Sequence, residues 1–516
     1  MGIVRRILCF LMLAVISAAS FGDQEPRGPL GWGDLEAGPY AVGFESRMVH
    51  DPSRFYEGPI YDPGTPGSPS GARPIQLSVW FPAVPETGSP LAYGDYVLLE
   101  DRSRALSDWT AEEKKGFLEG SRRRLARSLS EDQIDALLVT STVSSVGAKA
   151  VPGPFPLLIF SPGMLTLPTT NSGMCEFLAS HGYVVASHPS VGVSPRRMTT
   201  DALGIDHQAR DIEFLLGFLK QRKEVHKGPV GLLAHSWGAV ASVLVSTRRS
   251  DVAAVLSLDG SEEEWHDLFQ EFPSFRVAGG IPAPYLRLTK STTYFDTPSQ
   301  YGFFDGLHLA DKYRLHVLLE GFDHFDFVSR GPLLRSAGGQ GGEEKDLAFL
   351  FLGRYGLAFF DAYLGNDAKA RAFLGRSLME NGVPEGMFRL DVQRVEGSLL
   401  AGGEFVQAVI EDGVAAAVKR REEGRSFLGE DALIHTAQLL LWTGRHADRV
   451  VDLLRLVLQR NEDSARAHEV LGVTYHWFLN EPEKAITHMK KARELAPENQ
   501  RVVGYLKTFG AFSPKG

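Results

Sequence analysis

Six apolar runs, "FPLLIFSPG", "GYVVASHP", "VGLLAHS", "AAVLSLDG", "APYLRLT" and "YRLHVLLEG", recur between residues 155 and 321, with helical segments between most of them. A strand that is apolar along its whole length, rather than at alternate positions, is covered on both faces. Alternation of such strands with helices predicts α/β architecture, a mostly parallel central sheet flanked by helices. Upstream, "YAVGFESRMVHD" and "IQLSVWFPA" predict two further strands, joined by the Pro/Gly/Ser-rich connection "YDPGTPGSPSGARP". With 516 residues the chain exceeds the size at which one core stops growing, so at least two domains are expected.

The first residues, "MGIVRRILCFLMLAVISAAS", place two arginines before an apolar run and then small residues. This pattern predicts a signal peptide over residues 1–20, cut near Ser20, and a secreted or periplasmic bacterial protein. The apolar run, Ile7–Ile16, is too short to span a bilayer, and no stable membrane span is expected elsewhere. Cys9 leaves with the signal, so Cys175 stands alone and no intrachain disulfide is expected. Cys175 lies in "SGMCEFLASHGY", whose apolar positions would bury it as a small hydrophobe in a helix. The net charge of −9 supplies no basic stripe, which argues against nucleic acid as a partner.

Residues from about 105 to 140 are rich in helix formers and carry two capping boxes, Thr110 with Glu113 and Ser130 with Gln133. Two readings stay open for this insertion, a cap over the site or a solvated surface segment. "STTYFDTPSQYGFFDGLHL" is aromatic-rich, suited either to lining an acyl pocket or to packing on the body. "DLAFLFLGRYGLAFFDAYLG" has the periodicity of a long closing helix. Past Ala401 strand signals vanish, and Asp431 and Ala465 begin segments about 34 residues apart, a tetratricopeptide period. The second copy places Leu471, Gly472, Tyr475, Ala485, Ala492 and Pro497 on that repeat's positions. These readings predict a catalytic domain over 40–375 and a smaller all-α domain over 402–510.

Ala234-His235-Ser236-Trp237-Gly238 lies where a buried strand meets an apolar helix, the place of a nucleophile elbow, although alanine replaces its first glycine. A serine needs a base, a carboxylate to orient that base, and donors for the oxyanion. In this fold they follow in the order Ser, Asp or Glu, His. Asp259 ends the next strand; Asp296 is the competing acid. Among the later histidines, His266 falls in a helix, His308 in the aromatic segment and His316 within a strand, which leaves His324 in a post-strand loop as the base. The backbone N–H groups of Trp237 and Met164 are the candidate oxyanion donors. His235 adjoins the serine, but neighbours on an elbow point apart, so packing is its expected role. No metal or other cofactor is implied, because no cluster has ligand spacing.

With these residues in place, "LSVWFPA", "PLLIFSPGM", "EFLASHGYVVASHPS", "AHSWGA", "VLSLDGS", "GFDHFDF" and "LAFFDAYLG" together resemble the platelet-activating-factor acetylhydrolase and dienelactone-hydrolase-like branch of the α/β-hydrolases. The resemblance implies an α/β-hydrolase fold and assigns Asp259 as acid, His324 as base, and Met164 and Trp237 as oxyanion donors. It departs at Pro162, where the family often has histidine. The implied activity is a serine carboxylic-ester hydrolase acting on small-molecule esters, of short-acyl or lipid type. An acyltransferase or peptidase could use the same groups. The rival from another class is an inert hydrolase-fold protein that binds a protein partner through its helical tail.

Overall fold

The computed structural model describes residues 29–55, 71–192, 198–278, 280–290, 310–339, 341–393, 403–423, 430–442, 446–497 and 499–509. The proposed signal peptide, Asp296, His308 and the aromatic segment lie outside them. Eleven described strands form one sheet: β1 (Ala41–Phe55), β2 (Ala72–Ala83), β3 (Ser89–Ala92), β4 (Ser141–Val146), β5 (Phe155–Ser161), β6 (Val184–Ser187), β7 (Val225–His235), β8 (Val252–Leu258), β9 (Tyr285–Lys290), β10 (Lys312–Val317) and β11 (Phe388–Gln393). Their order is β11-β10-β9-β8-β7-β5-β6-β2-β1-β4-β3. The six from β6 through β5 to β10 run parallel, while β2 joins β6 and β11 joins β10 antiparallel.

Successive side chains of a strand point to opposite faces, so an all-apolar strand feeds two cores at once. On β5, Leu158 and Phe160 join one buried cluster with the helices Ser172–Ser180 and Glu343–Tyr363. Leu157 and Ile159 join the other, with the helices Ala202–Leu219 and Trp237–Arg248. Each fully buried leucine or phenylalanine contributes about 1.5–3 kcal/mol, which is why these runs are mostly apolar.

From β5 the chain passes to β6 on one side and then to β7 on the other. The order reverses at this point, and in open α/β sheets the crevice beyond the strand ends there is where ligands bind. Cys175 is buried in the helix Ser172–Ser180 and unoxidised. Packing also involves residues on either side of the 40–375 read from sequence. Trp32 is fully buried and its Nε1 donates to the buried Glu176, 2.9 Å away, and β11 adds a strand after residue 375.

The insertion forms the helices Ala111–Leu125 and Glu131–Val139, both started by the expected capping boxes. The second packs Ile134 and Leu137 against Leu333 of the helix Arg330–Gly338; the first buries only Ser121. In the C-terminal region Glu430–Trp442 pairs with Ala447–Arg460, and Ala465–Trp477 with Pro482–Leu495. A Cβ on Gly472 would come within 2.7 Å of Met489, so the second pair approaches as closely as a glycine permits. No described helix is long and apolar enough to cross a membrane.

Candidate active site

β7 ends at His235 and the helix Trp237–Arg248 begins two residues later. Ser236, between them, has φ 52° and ψ −126°, a conformation that L residues adopt only when their surroundings impose it. Two bonds impose it here: Ser236 N–H donates to the Leu258 carbonyl (3.2 Å), and Ser261 N–H donates to the Ser236 carbonyl (3.2 Å). A Cβ on Gly238 would lie 2.1 Å from the Ser161 carbonyl oxygen, so this glycine is sterically required. Ala234 sits earlier, buried within β7, where its methyl has room. The alanine-for-glycine change therefore falls on the tolerant side of the elbow.

β8 ends one residue before Asp259, which also has a positive φ, 42°. Its Oδ2 accepts a hydrogen bond from His324 Nδ1 at 2.7 Å, and its Oδ1 accepts from Thr289 Oγ1 and Lys290 N–H, each at 3.3 Å. Burial acts to raise the Asp259 pKa, but the hydrogen bond and charge of His324 and the charge of Arg287 hold it below the usual carboxylate value. The acid thus stays ionised and fixes His324 with its proton on Nδ1. Among the described residues His324 Nε2 and the Ser236 hydroxyl form no hydrogen bonds. The imidazole edge that a serine needs is left open.

β5 ends at Ser161, beside Ala234 of β7, and the turn Pro162-Gly163-Met164 passes over the elbow. A Cβ on Gly163 would lie 3.0 Å from Ser236 Cβ. Gln208 Nε2 donates to the Pro162 carbonyl (3.0 Å) and to Ser161 Oγ (2.9 Å). Thr166 donates to the Gly163 carbonyl from both N–H (3.0 Å) and Oγ1 (2.7 Å). In a trans peptide C=O and N–H point opposite ways, so anchoring the Gly163 carbonyl outward directs Met164 N–H inward. Neither Met164 N–H nor Trp237 N–H, the first of its helix, donates to a backbone carbonyl among the described residues. Thr166→Val, which keeps the N–H but deletes the hydroxyl, is expected to lower kcat about tenfold with KM unchanged, less than the roughly 10²–10³-fold typical of losing an oxyanion donor itself. Steady-state kinetics on an activated ester check this.

His235 does more than fill space. Its ring lies 4.4 Å from the His324 ring, centroid to centroid, and its Nε2 is 3.1 Å from the His324 carbonyl. Sequence reasoning missed this, and also missed Thr166 and Gln208, because each acts through a contact between distant segments. The other histidines stand elsewhere: His266 begins a short 3-10 helix and His316 pairs with Asp391 from within β10. Among the described residues no three His, Cys, Asp or Glu side chains are grouped to hold a metal.

Residues 125–191 match the family model described as platelet-activating factor acetylhydrolase, isoform II. That stretch holds the Pro162-Gly163-Met164 turn and ends before Ser236. Among solved structures 287 chains match; one is a ferulic acid esterase from Streptomyces cinnamoneus, 23% identical, covering 67% of this chain and 94% of that one at a TM-score of 0.45. No curated protein matches significantly. With its mostly parallel sheet flanked by helices and its serine turn at the end of β7, the chain has the architecture of an α/β-hydrolase, and over residues 125–191, across β5 and β6, it is similar to the platelet-activating factor acetylhydrolase family.

Proposed function

We propose that this chain is a serine ester hydrolase with Ser236, His324 and Asp259 as its catalytic triad, and that it acts outside the cytoplasm after its signal peptide is removed. The observation that carries the reading is the 2.7 Å bond between Asp259 and His324 beside a serine held at φ 52° on a strand-to-helix turn. Ser236 Oγ attacks the acyl carbon while its proton passes to His324 Nε2, and Asp259 stabilises the imidazolium that forms. The carbonyl oxygen, now an anion, is received by the N–H groups of Met164 and Trp237. His324 then gives the proton to the departing alcohol, and a water activated by the same imidazole releases the acid.

Three large apolar side chains are left partly exposed around this point. Leu165 in the oxyanion turn and Phe325 next to His324 are each 41% exposed, and Trp265, 37% exposed, packs edge-on against Trp237 with ring centroids 5.5 Å apart. An exposed apolar rim on a catalytic cleft favours an ester with an apolar acyl or alcohol group, of short-acyl or lipid type. The C-terminal helix pairs, which we read as tetratricopeptide-like, offer a surface for a protein partner.

A fluorophosphonate probe, followed by peptide mapping, is expected to label Ser236 alone, and a series of nitrophenyl esters of rising chain length to show turnover. Folded protein that neither reacts with the probe nor hydrolyses any ester would overturn the assignment and favour the binding-protein alternative.

A further inference from the structure

We propose that His235 is a positioning residue for the base, holding the backbone of His324 so that its imidazole keeps its place against Asp259, with Nε2 free for the serine. The inference rests on the triad reading above. His235 is the last residue of β7, covalently joined to Ser236 and paired in register with Leu258 of β8. It therefore moves with the nucleophile. From there its Nε2–H donates to the carbonyl of His324, and its ring lies at 33° to the His324 ring with centroids 4.4 Å apart. One side chain thus restrains both the main chain and the ring of the base.

The third contact is with the oxyanion turn. A Cβ on Gly163 would lie 3.3 Å from His235 Nδ1, a ring nitrogen that has no hydrogen-bond partner among the described residues. His235 is therefore wedged among the turn that carries Met164, the elbow and the base loop. The far side of that loop is anchored separately, by Asp326, whose carboxylate pairs with Arg335 and with Lys345 (2.8 Å) and accepts from Asp323 N–H (2.9 Å). Without His235 the loop keeps its outer anchor and loses its inner one.

Only a neutral imidazole suits this place. Burial, with His324 next to it, pushes His235 down to about 3, against the opposing influence of the His324 carbonyl and of Asp259. At neutral pH Nε2 keeps its proton as a donor and the ring adds no charge when His324 becomes an imidazolium. A lysine or arginine here would oppose that step; a phenylalanine would fill the volume and supply no donor.

The test compares His235→Phe with His235→Gln, whose side-chain amide restores an N–H donor. For His235→Phe, kcat on an activated ester is expected to fall about 10- to 100-fold with KM nearly unchanged, the size of effect that a sub-ångström to 1 Å displacement of a reacting group produces. His235→Gln should recover most of the loss. In parallel, proton NMR of the full chain should show the low-field Nδ1–H resonance of His324, weakened or lost in His235→Phe and retained in His235→Gln. Folded His235→Phe with wild-type kcat and an unchanged resonance would overturn the proposal, as would equal losses in both variants. The resonance reports the imidazole's placement without turnover. If it responds as expected while neither the probe nor any ester reacts, the positioning role stands and the esterase reading is the one that fails.

Discussion

Ser236→Ala is expected to lower kcat on an activated ester by roughly 10⁶-fold while leaving the protein folded, because in the proposed mechanism its hydroxyl is the group that bonds to the acyl carbon. The loss is not expected to be complete. The donors at Met164 and Trp237 remain, and in a serine hydrolase stripped of its nucleophile such donors still leave roughly 10³–10⁴-fold catalysis over water. Triad members act as a unit, so combining Ser236→Ala with His324→Ala should cost little more than either alone. Asp259→Asn should cost about 10⁴-fold, since an amide leaves the geometry but presents the wrong partner to His324 Nδ1. Kinetics with active-site titration, to exclude trace wild type, measure all three. A folded Ser236→Ala protein retaining a tenth of wild-type kcat would remove Ser236 from the mechanism.

Asp211→Asn is expected to destabilise the catalytic domain by about 3–5 kcal/mol, the range for breaking a buried ion pair from one side. Asp211, on the helix Ala202–Leu219, is 1% exposed. Its Oδ1 accepts from Arg54 Nη2 (2.6 Å) and Arg73 Nε (2.7 Å), and its Oδ2 from Arg73 Nη2 (2.6 Å). Removing its charge takes a carboxylate from Arg73 and one of two from Arg54, which keeps Asp51 at 2.6 Å, in the interior between β1, β2 and that helix. Burial alone would raise the Asp211 pKa, but Arg73 and Arg54, with His188, hold it down at about 2. A carboxylate whose folded pKa lies below its unfolded value stabilises the fold above about pH 4, and that contribution is lost as pH falls toward 2. From the size of the shift it is about 2 kcal/mol. Denaturant unfolding at neutral pH and at pH 3 measures both effects. The wild type should lose stability over this interval more steeply than Asp211→Asn. Equal stability at pH 7, or parallel acid profiles, would refute the account.

The strands that position the candidate site were legible because burial on both faces favours apolar residues along most of each run. "FPLLIFS", "VGLLAHS" and "AAVLSLDG" read as apolar throughout, and the residues following them, at 162–164, 236 and 259, are those at the crevice. Asp259 and His324 were found by place, each just past a strand, and the structure sets them 2.7 Å apart. What escaped lacks such a signal. β4, "STVSSV", is largely polar, and β11, "FRLDVQ", alternates apolar and polar residues at the sheet edge, with Phe388 buried and Arg389 and Asp391 exposed, so neither carries a continuous apolar run. Trp32 precedes any periodic segment, and its burial follows from a partner, Glu176, 144 positions away. Gln208, Thr166 and His235 are ordinary residues for a helix, a loop and a strand; only the meeting of β5, β7 and the loop after β10 gives them work.

The two margins of the sheet bear on how the molecule keeps to itself. At one, β3 is four residues long and includes Pro90, which offers no N–H to a neighbour. At the other, β11 displays Arg389 and Asp391, both exposed, the latter bound to His316 at 3.1 Å. A foreign strand arriving at either end would meet a truncated ladder or fixed charges. Self-association through edge pairing is thereby discouraged, and crowded, unchaperoned surroundings pose less hazard to so broad a β-structure.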